Sequence, residues 1–167
     1  MSSLPFKCPV LAFMRDYGAD AQEDRETLEW FLDEDALTRL DSFELKNGTH
    51  ADMLLVDLTG RSWRVVKLTD LGPEGKGLGK LLFRIFSGHR VRYDVQEEEP
   101  LPLAALKERI CASIQANPDH WRDDEAVAGE AGPPRDEQEM MDELLLSVRN
   151  ARSMLELIPI MKDDIRI

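Results

Sequence analysis

Residues 41–69 constrain the fold more than any other stretch of this chain. Phe43 and Leu45 alternate with Ser42, Glu44 and Lys46, and Asn47-Gly48 follows as a two-residue turn of the kind that accepts positive φ. Met53-Leu54-Leu55-Val56 is a β-compatible apolar run, and Thr59-Gly60 marks a second turn. Trp63, Val65 and Lys67 then alternate with Arg64, Val66 and Leu68. A period of two sends successive side chains to opposite faces of a sheet. The pattern predicts three antiparallel strands over about 41–46, 51–58 and 62–69, whose connections are too short for a parallel crossover.

The flanking segments extend this frame. Residues 4–14 are apolar and carry Pro5 and Pro9, which suits an extended segment or edge strand, because proline lacks the ladder donor. Leu28, Phe31 and Leu32 predict a helix over about 22–34 with an acidic outer face. Leu78, Leu81, Leu82 and Ile85 recur at helical spacing up to Gly88, and Val91, Tyr93 and Val95 give a fourth strand. Pro102 opens a helix with Leu103, Leu106, Ile110 and Ile114 as its apolar stripe, ending near Asn117-Pro118. A last helix spans about 135–158, with Met141, Leu144, Leu145, Val148, Ala151, Leu155 and Ile158 on one face. The expected architecture is α+β: a small antiparallel sheet, a meander of three strands plus a fourth, with helices packed on one face and a long C-terminal helix. It forms one domain over 1–167, with 119–134 as an acidic connection.

Charge narrows the range of partners. The net charge is −12 on 167 residues, and it is unevenly placed. Residues 16–35 carry nine carboxylates against Arg25, and residues 119–143 carry ten against Arg122 and Arg135. Residues 60–92 instead hold eight Lys and Arg against Asp70 and Glu74. Such a field attracts basic partners and repels nucleic acid and anionic membrane. Cys8 and Cys111 are too few and too far apart for a disulfide framework and fit reduced thiols in a cytoplasmic protein. The N-terminal stretch lacks the basic start and long apolar run of a signal peptide, and no run of apolar residues is long enough to span a bilayer.

No motif carries chemistry, and the chain is expected to be a binding protein, not an enzyme, with no cofactor and no metal. The loop Gly72-Pro73-Glu74-Gly75-Lys76-Gly77-Leu78-Gly79-Lys80 fails as a P-loop, because Glu74 replaces the opening glycine and Leu81 stands where Ser or Thr would bind magnesium. It resembles the pyrophosphate loop of acyl-CoA N-acetyltransferases, although Glu74 takes that loop's opening position and would repel the pyrophosphate. His50, His89 and His120 lie in no metal-ligand spacing and are expected to face solvent or bond locally. The basic residues of 60–92 are expected to offset acidic segments of the same fold or to face solvent.

Leu55 through Val66, and Leu106 through Arg109 with Asn117-Pro118-Asp119-His120-Trp121, resemble small bacterial immunity proteins, over about residues 40–125. These are cytoplasmic inhibitors paired with toxins delivered by contact-dependent or type VI secretion. The resemblance implies stoichiometric binding to a cognate toxin protein, with a basic nuclease as one class of partner. The charge pattern places the partner-binding face on Glu23, Glu26, Glu29 and Asp33, and on Trp121, Asp123, Asp124, Glu125, Glu130 and Asp136. Two other functions fit parts of the chain: an acyl-CoA-dependent N-acetyltransferase using the 72–80 loop, and an adaptor that self-associates through its last helix.

Overall fold

The structure is a computed structural model that describes residues 4–16, 25–73, 88–118, 137–157 and 160. The chain divides into two compact units, Met1–Pro100 and Leu101–Ile167. The fold is α+β, but its sheet is neither small nor four-stranded. Strands β1 (Val10–Asp16), β2 (Arg25–Phe31), β3 (Arg39–Leu40), β4 (Leu54–Asp57), β5 (Ser62–Pro73) and β6 (His89–Glu98) form one curled sheet in the order β2-β1-β4-β5-β6-β3. Every pairing is antiparallel. Two β-bulges in β5, between Val65 and Lys67 and between Asp70 and Gly72, add local twist to its pairing with β6.

Three of the expected strands lie where strands are found, as β4, β5 and β6. Three other expectations are corrected. Residues 25–31 form a strand instead of a helix, paired with β1 along its whole length from Val10↔Phe31 to Asp16↔Arg25. The apolar positions 28, 31 and 32 have helical spacing, but Thr27, Trp30 and Phe31 are strand formers, and ladder pairing overrides the periodicity. The N-terminal strand is not an edge, because β1 sits between β2 and β4. Its prolines, Pro5 and Pro9, precede the ladder.

The third correction concerns 41–46. Helix α2 (Ser42–Asn47) replaces the expected first strand of the meander. Asp41 accepts hydrogen bonds from the amides of Phe43 (2.7 Å) and Glu44 (2.8 Å), and Glu44 reaches back to the Asp41 amide (2.7 Å). This reciprocal capping box satisfies orphan donors at the helix start. Gly48 ends the helix at φ +68, so the positive φ expected at Asn47-Gly48 serves a helix C-terminus, not a hairpin. A short helix, α1 (Glu34–Leu37), precedes β3.

The core of the first unit lies on one face of the sheet. Val10, Ala12, Met14, Leu55, Trp63, Val65, Val91 and Tyr93 project to it from the strands, and Phe6, Leu37, Leu40 and Met53 pack against them. The Phe6 and Trp63 rings meet at 4.9 Å. The opposite face is also apolar and buried, through Leu11, Phe13, Leu28, Leu54 and Val56. Strands buried on both faces read as continuous apolar runs, as in Val10–Met14 and Leu54–Val56.

The second unit contains α3 (Leu103–Ala116) and α4 (Glu137–Asn150), which pack on each other. Leu106, Ile110 and Ile114 of α3 and Leu144, Leu145 and Val148 of α4 are buried. The Lys107 ammonium donates to the Ala151 carbonyl at 2.9 Å, a cation at a helix C-terminus. The last helix does not run unbroken to 158 as expected. It stops after Asn150, and helix resumes at 154–157. Ser153 Oγ accepts from the Glu156 amide at 3.3 Å, and Glu156 accepts from the Arg152 amide at 2.6 Å. This Ser-x-x-Glu signal restarts the helix in a new phase. Leu157 is therefore buried, while Leu155 of the expected apolar face is 68% exposed. Among the described residues no helix is long and apolar enough to cross a membrane.

Candidate functional site

A run of three exposed carboxylates lies where β2 ends and α1 begins. Asp33, Glu34 and Asp35 follow Leu32 in sequence, and all four are exposed. Asp33 is extended, at φ −144 and ψ 166, and its Oδ1 accepts from the Ala36 amide at 2.7 Å. It is the N-cap of α1, which fixes the corner's geometry. Asp35 accepts from the Arg90 guanidinium at 2.6 Å and pairs with Arg39 at 3.0 Å. The hydrogen bond from Arg90 holds the Asp35 carboxyl below its usual range, with Arg39 adding to it. Among the described residues no ion-pair partner of Glu34 is found.

Beside this corner a cleft of about 340 Å³ opens against β6. Leu4, Leu71, Val91 and Tyr93 supply apolar surface, and Glu34 and Asp35 line it together with Arg90 and Arg92. Leu71 is 57% exposed and Leu32 is 46% exposed. Apolar anchors among steering charges are the composition of a protein-binding surface.

A second polar group lies on the core face of the sheet. His50 Nδ1 meets the Tyr93 hydroxyl at 2.6 Å, and that hydroxyl donates to the Leu37 carbonyl at 3.0 Å. A hydroxyl has one proton, so the Tyr93 oxygen accepts from His50, and the imidazole is the Nδ1–H tautomer. His50 is 1% exposed, and its Nε2 has no partner among the described residues. Burial drops its pKa to about 4, so the ring is neutral. Glu29 projects to the same sheet face as Phe31, Ala12 and Met14, and burial raises its pKa, with the charge of Glu44 adding to the effect. Burial likewise pushes the Tyr93 phenol up.

Of the ten residues expected to bind a partner, Glu26, Glu29 and Asp33 lie among the described residues. Glu26 and Glu29 lie three apart on a strand, so they project to opposite faces of the sheet, whereas a helix would have aligned them. Asp33 is exposed and acts as a cap, and of these three it belongs to the corner beside the cleft. Glu23, Trp121, Asp123, Asp124, Glu125, Glu130 and Asp136 lie outside the described residues. Residues 74–80 of the glycine loop and His120 also lie outside them, while Gly72 and Pro73 end β5.

The other candidates have structural explanations. His50 is a buried core residue, not a solvent-facing one, and His89 bonds Asp70 at 3.1 Å. Arg61 pairs with Glu97 at 2.6 Å and lies 5.2 Å above the Trp63 ring, and Arg64 pairs with Glu98. Much of the described basic segment thus offsets carboxylates of the same sheet. Burial and the charges of Glu34 and Asp33 push the Cys8 thiol up to about 11, which keeps it protonated and unreactive. Among the described residues no three metal-ligating side chains converge. Glu34 and Asp35 were legible in the sequence only as members of the acidic segment 16–35, and Leu71 was not singled out. No protein family, curated protein or solved structure matches this chain.

Proposed function

We propose that this chain is an immunity-type protein that binds a basic bacterial toxin stoichiometrically and neutralises it in the cytoplasm. One observation carries the reading: a cluster of exposed carboxylates, Asp33, Glu34 and Asp35, sits beside a cleft with the exposed anchor Leu71. The carboxylates accelerate encounter with a cationic surface, and the apolar residues slow release once they are covered. A basic nuclease fits as the partner, because its phosphate-binding surface is cationic and an acidic protein can occupy it. The net charge of −12 adds a long-range field of the same sign.

The test is capture followed by a toxicity assay. Wild-type protein and a D33N/E34Q/D35N variant are used as baits in a lysate of the native organism. Asparagine preserves the cap at Asp33, so the variant folds while losing three charges. A basic protein enriched by wild type over the variant is then expressed alone and together with this chain. Growth arrest that coexpression relieves supports the reading. A captured set indifferent to the variant, or a captured protein that coexpression does not neutralise, overturns it.

A further inference from the structure

We infer that the outer edge of β6, from Tyr93 to Glu97, accepts an added β-strand supplied by an extended basic segment of the protein partner. This rests on the protein-binding reading above and specifies how the partner is held. The edge is open because β3 is only two residues long. It pairs Arg39 with Arg90 and Leu40 with His89, and the chain then leaves the sheet as α1 on the other side of Thr38.

Backbone parity shows which groups are available. The Val91 amide donates to the Thr38 carbonyl at 2.9 Å, so Val91 directs its N–H and C=O outward, away from β5. Both bulges of the β5–β6 ladder add their extra residue to β5, so β6 itself is regular. Outward direction therefore recurs at every second residue. Tyr93, Val95 and Glu97 turn their amides and carbonyls to the open side, where no strand of the described residues pairs with them. Arg92, Asp94 and Gln96 bond inward to β5. An unpaired row of this kind is a template for strand addition.

The cleft sits at the head of this edge, bordered by Val91, Tyr93 and α1. A strand laid along β6 continues the line of β3 and places its end against Leu4 and Leu71. Charge selects the occupant. Glu97 is paired with Arg61, and Asp35 with Arg90 and Arg39, so the selecting charges are Asp94, exposed along the edge, and Glu34, which lines the cleft; among the described residues neither has an ion-pair partner, and basic residues on the incoming strand complement them. Arg92 lies at the head of the stretch, so the residue beside it is neutral or acidic.

The test reads amide exchange by NMR on the full chain, with a capped decapeptide of alternating lysine and valine as probe. In the free protein the amides of Val95 and Glu97 exchange faster than those of Asp94 and Gln96. Added peptide is expected to slow the Tyr93, Val95 and Glu97 amides by roughly tenfold or more, with little change at the even positions. A glutamate–valine peptide should leave them unchanged. Glu97→Pro removes an outward donor without costing a bond to β5 and should abolish the effect. If that variant does not fold, as judged by circular dichroism, Asp94→Lys should weaken lysine–valine binding instead. Lack of protection overturns the inference. So does protection already present without peptide and accompanied by a doubled mass in light scattering, which would assign the edge to a second copy. If the captured partner binds Glu97→Pro as tightly as wild type but binds D33N/E34Q/D35N weakly, strand addition fails and the protein-binding reading stands.

Discussion

Glu29 and His50 share the core face of the sheet, and each is held against its preference for charge. For Glu29, burial and the neighbouring charge of Glu44 raise the folded-state pKa above the ordinary carboxylate value. Above that raised value the ionised side chain costs stability, and the cost vanishes as pH falls toward the unfolded pKa. Glu29→Gln should therefore raise stability at pH 7, read as a higher Tm. The gain should shrink as the melt is repeated at lower pH. His50 runs the other way. Its pKa falls from 6.5 unfolded to about 4 folded, so its contribution is full above pH 6.5 and is lost as pH drops toward 4. The loss is roughly 3 kcal/mol. Urea titrations across this window should show it, and the His50→Gln variant, which does not titrate, should lack it. Tyr93→Phe leaves the Leu37 carbonyl and the His50 Nδ1 donor unpaired in the core. That change should cost about 2 kcal/mol by the same measurement.

The elements show where local sequence decides structure and where it does not. Helix α2 depends on its ends, because none of its side chains is fully buried. Asp41→Ala removes the acceptor of two amide bonds and should destabilise by about 1 kcal/mol. Gly48→Ala meets only an ordinary contact, with Ala51 Cβ at 3.9 Å, so its cost is the left-handed backbone, again about 1 kcal/mol. The Asp41–Glu44 pair was present in the sequence as a helix signal, but the alternation of Phe43 and Leu45 obscured it. Strands β4, β5 and β6 were legible because their turns and period agree. Strand β2 was not, because Leu28, Phe31 and Leu32 imitate a helical stripe. Its true partner, β1, is identified only by the long-range register from Val10↔Phe31 onward. The candidate site was less legible than the fold. A charge run marks an acidic segment, but a strand splits Glu26 from Glu29, and the cleft joins residues from Leu4 to Tyr93 that no local pattern connects.

At the scale of the whole molecule, the proposed function requires exposed carboxylates beside the cleft to draw in a cationic protein. The net charge of −12 acts at distances comparable to the Debye length, about 10 Å at 0.1 M salt, and its effect fades as salt is added. On this proposal the corner residues Asp33, Glu34 and Asp35 act at close range and orient the encounter. The most direct measurement is the association rate of the captured basic partner, by stopped flow from about 0.02 to 0.5 M salt, for wild type and D33N/E34Q/D35N. The account predicts a wild-type rate that falls steeply with salt and a variant rate that is up to roughly tenfold lower at low salt with a shallower slope. Identical rates and slopes for the two proteins would contradict it.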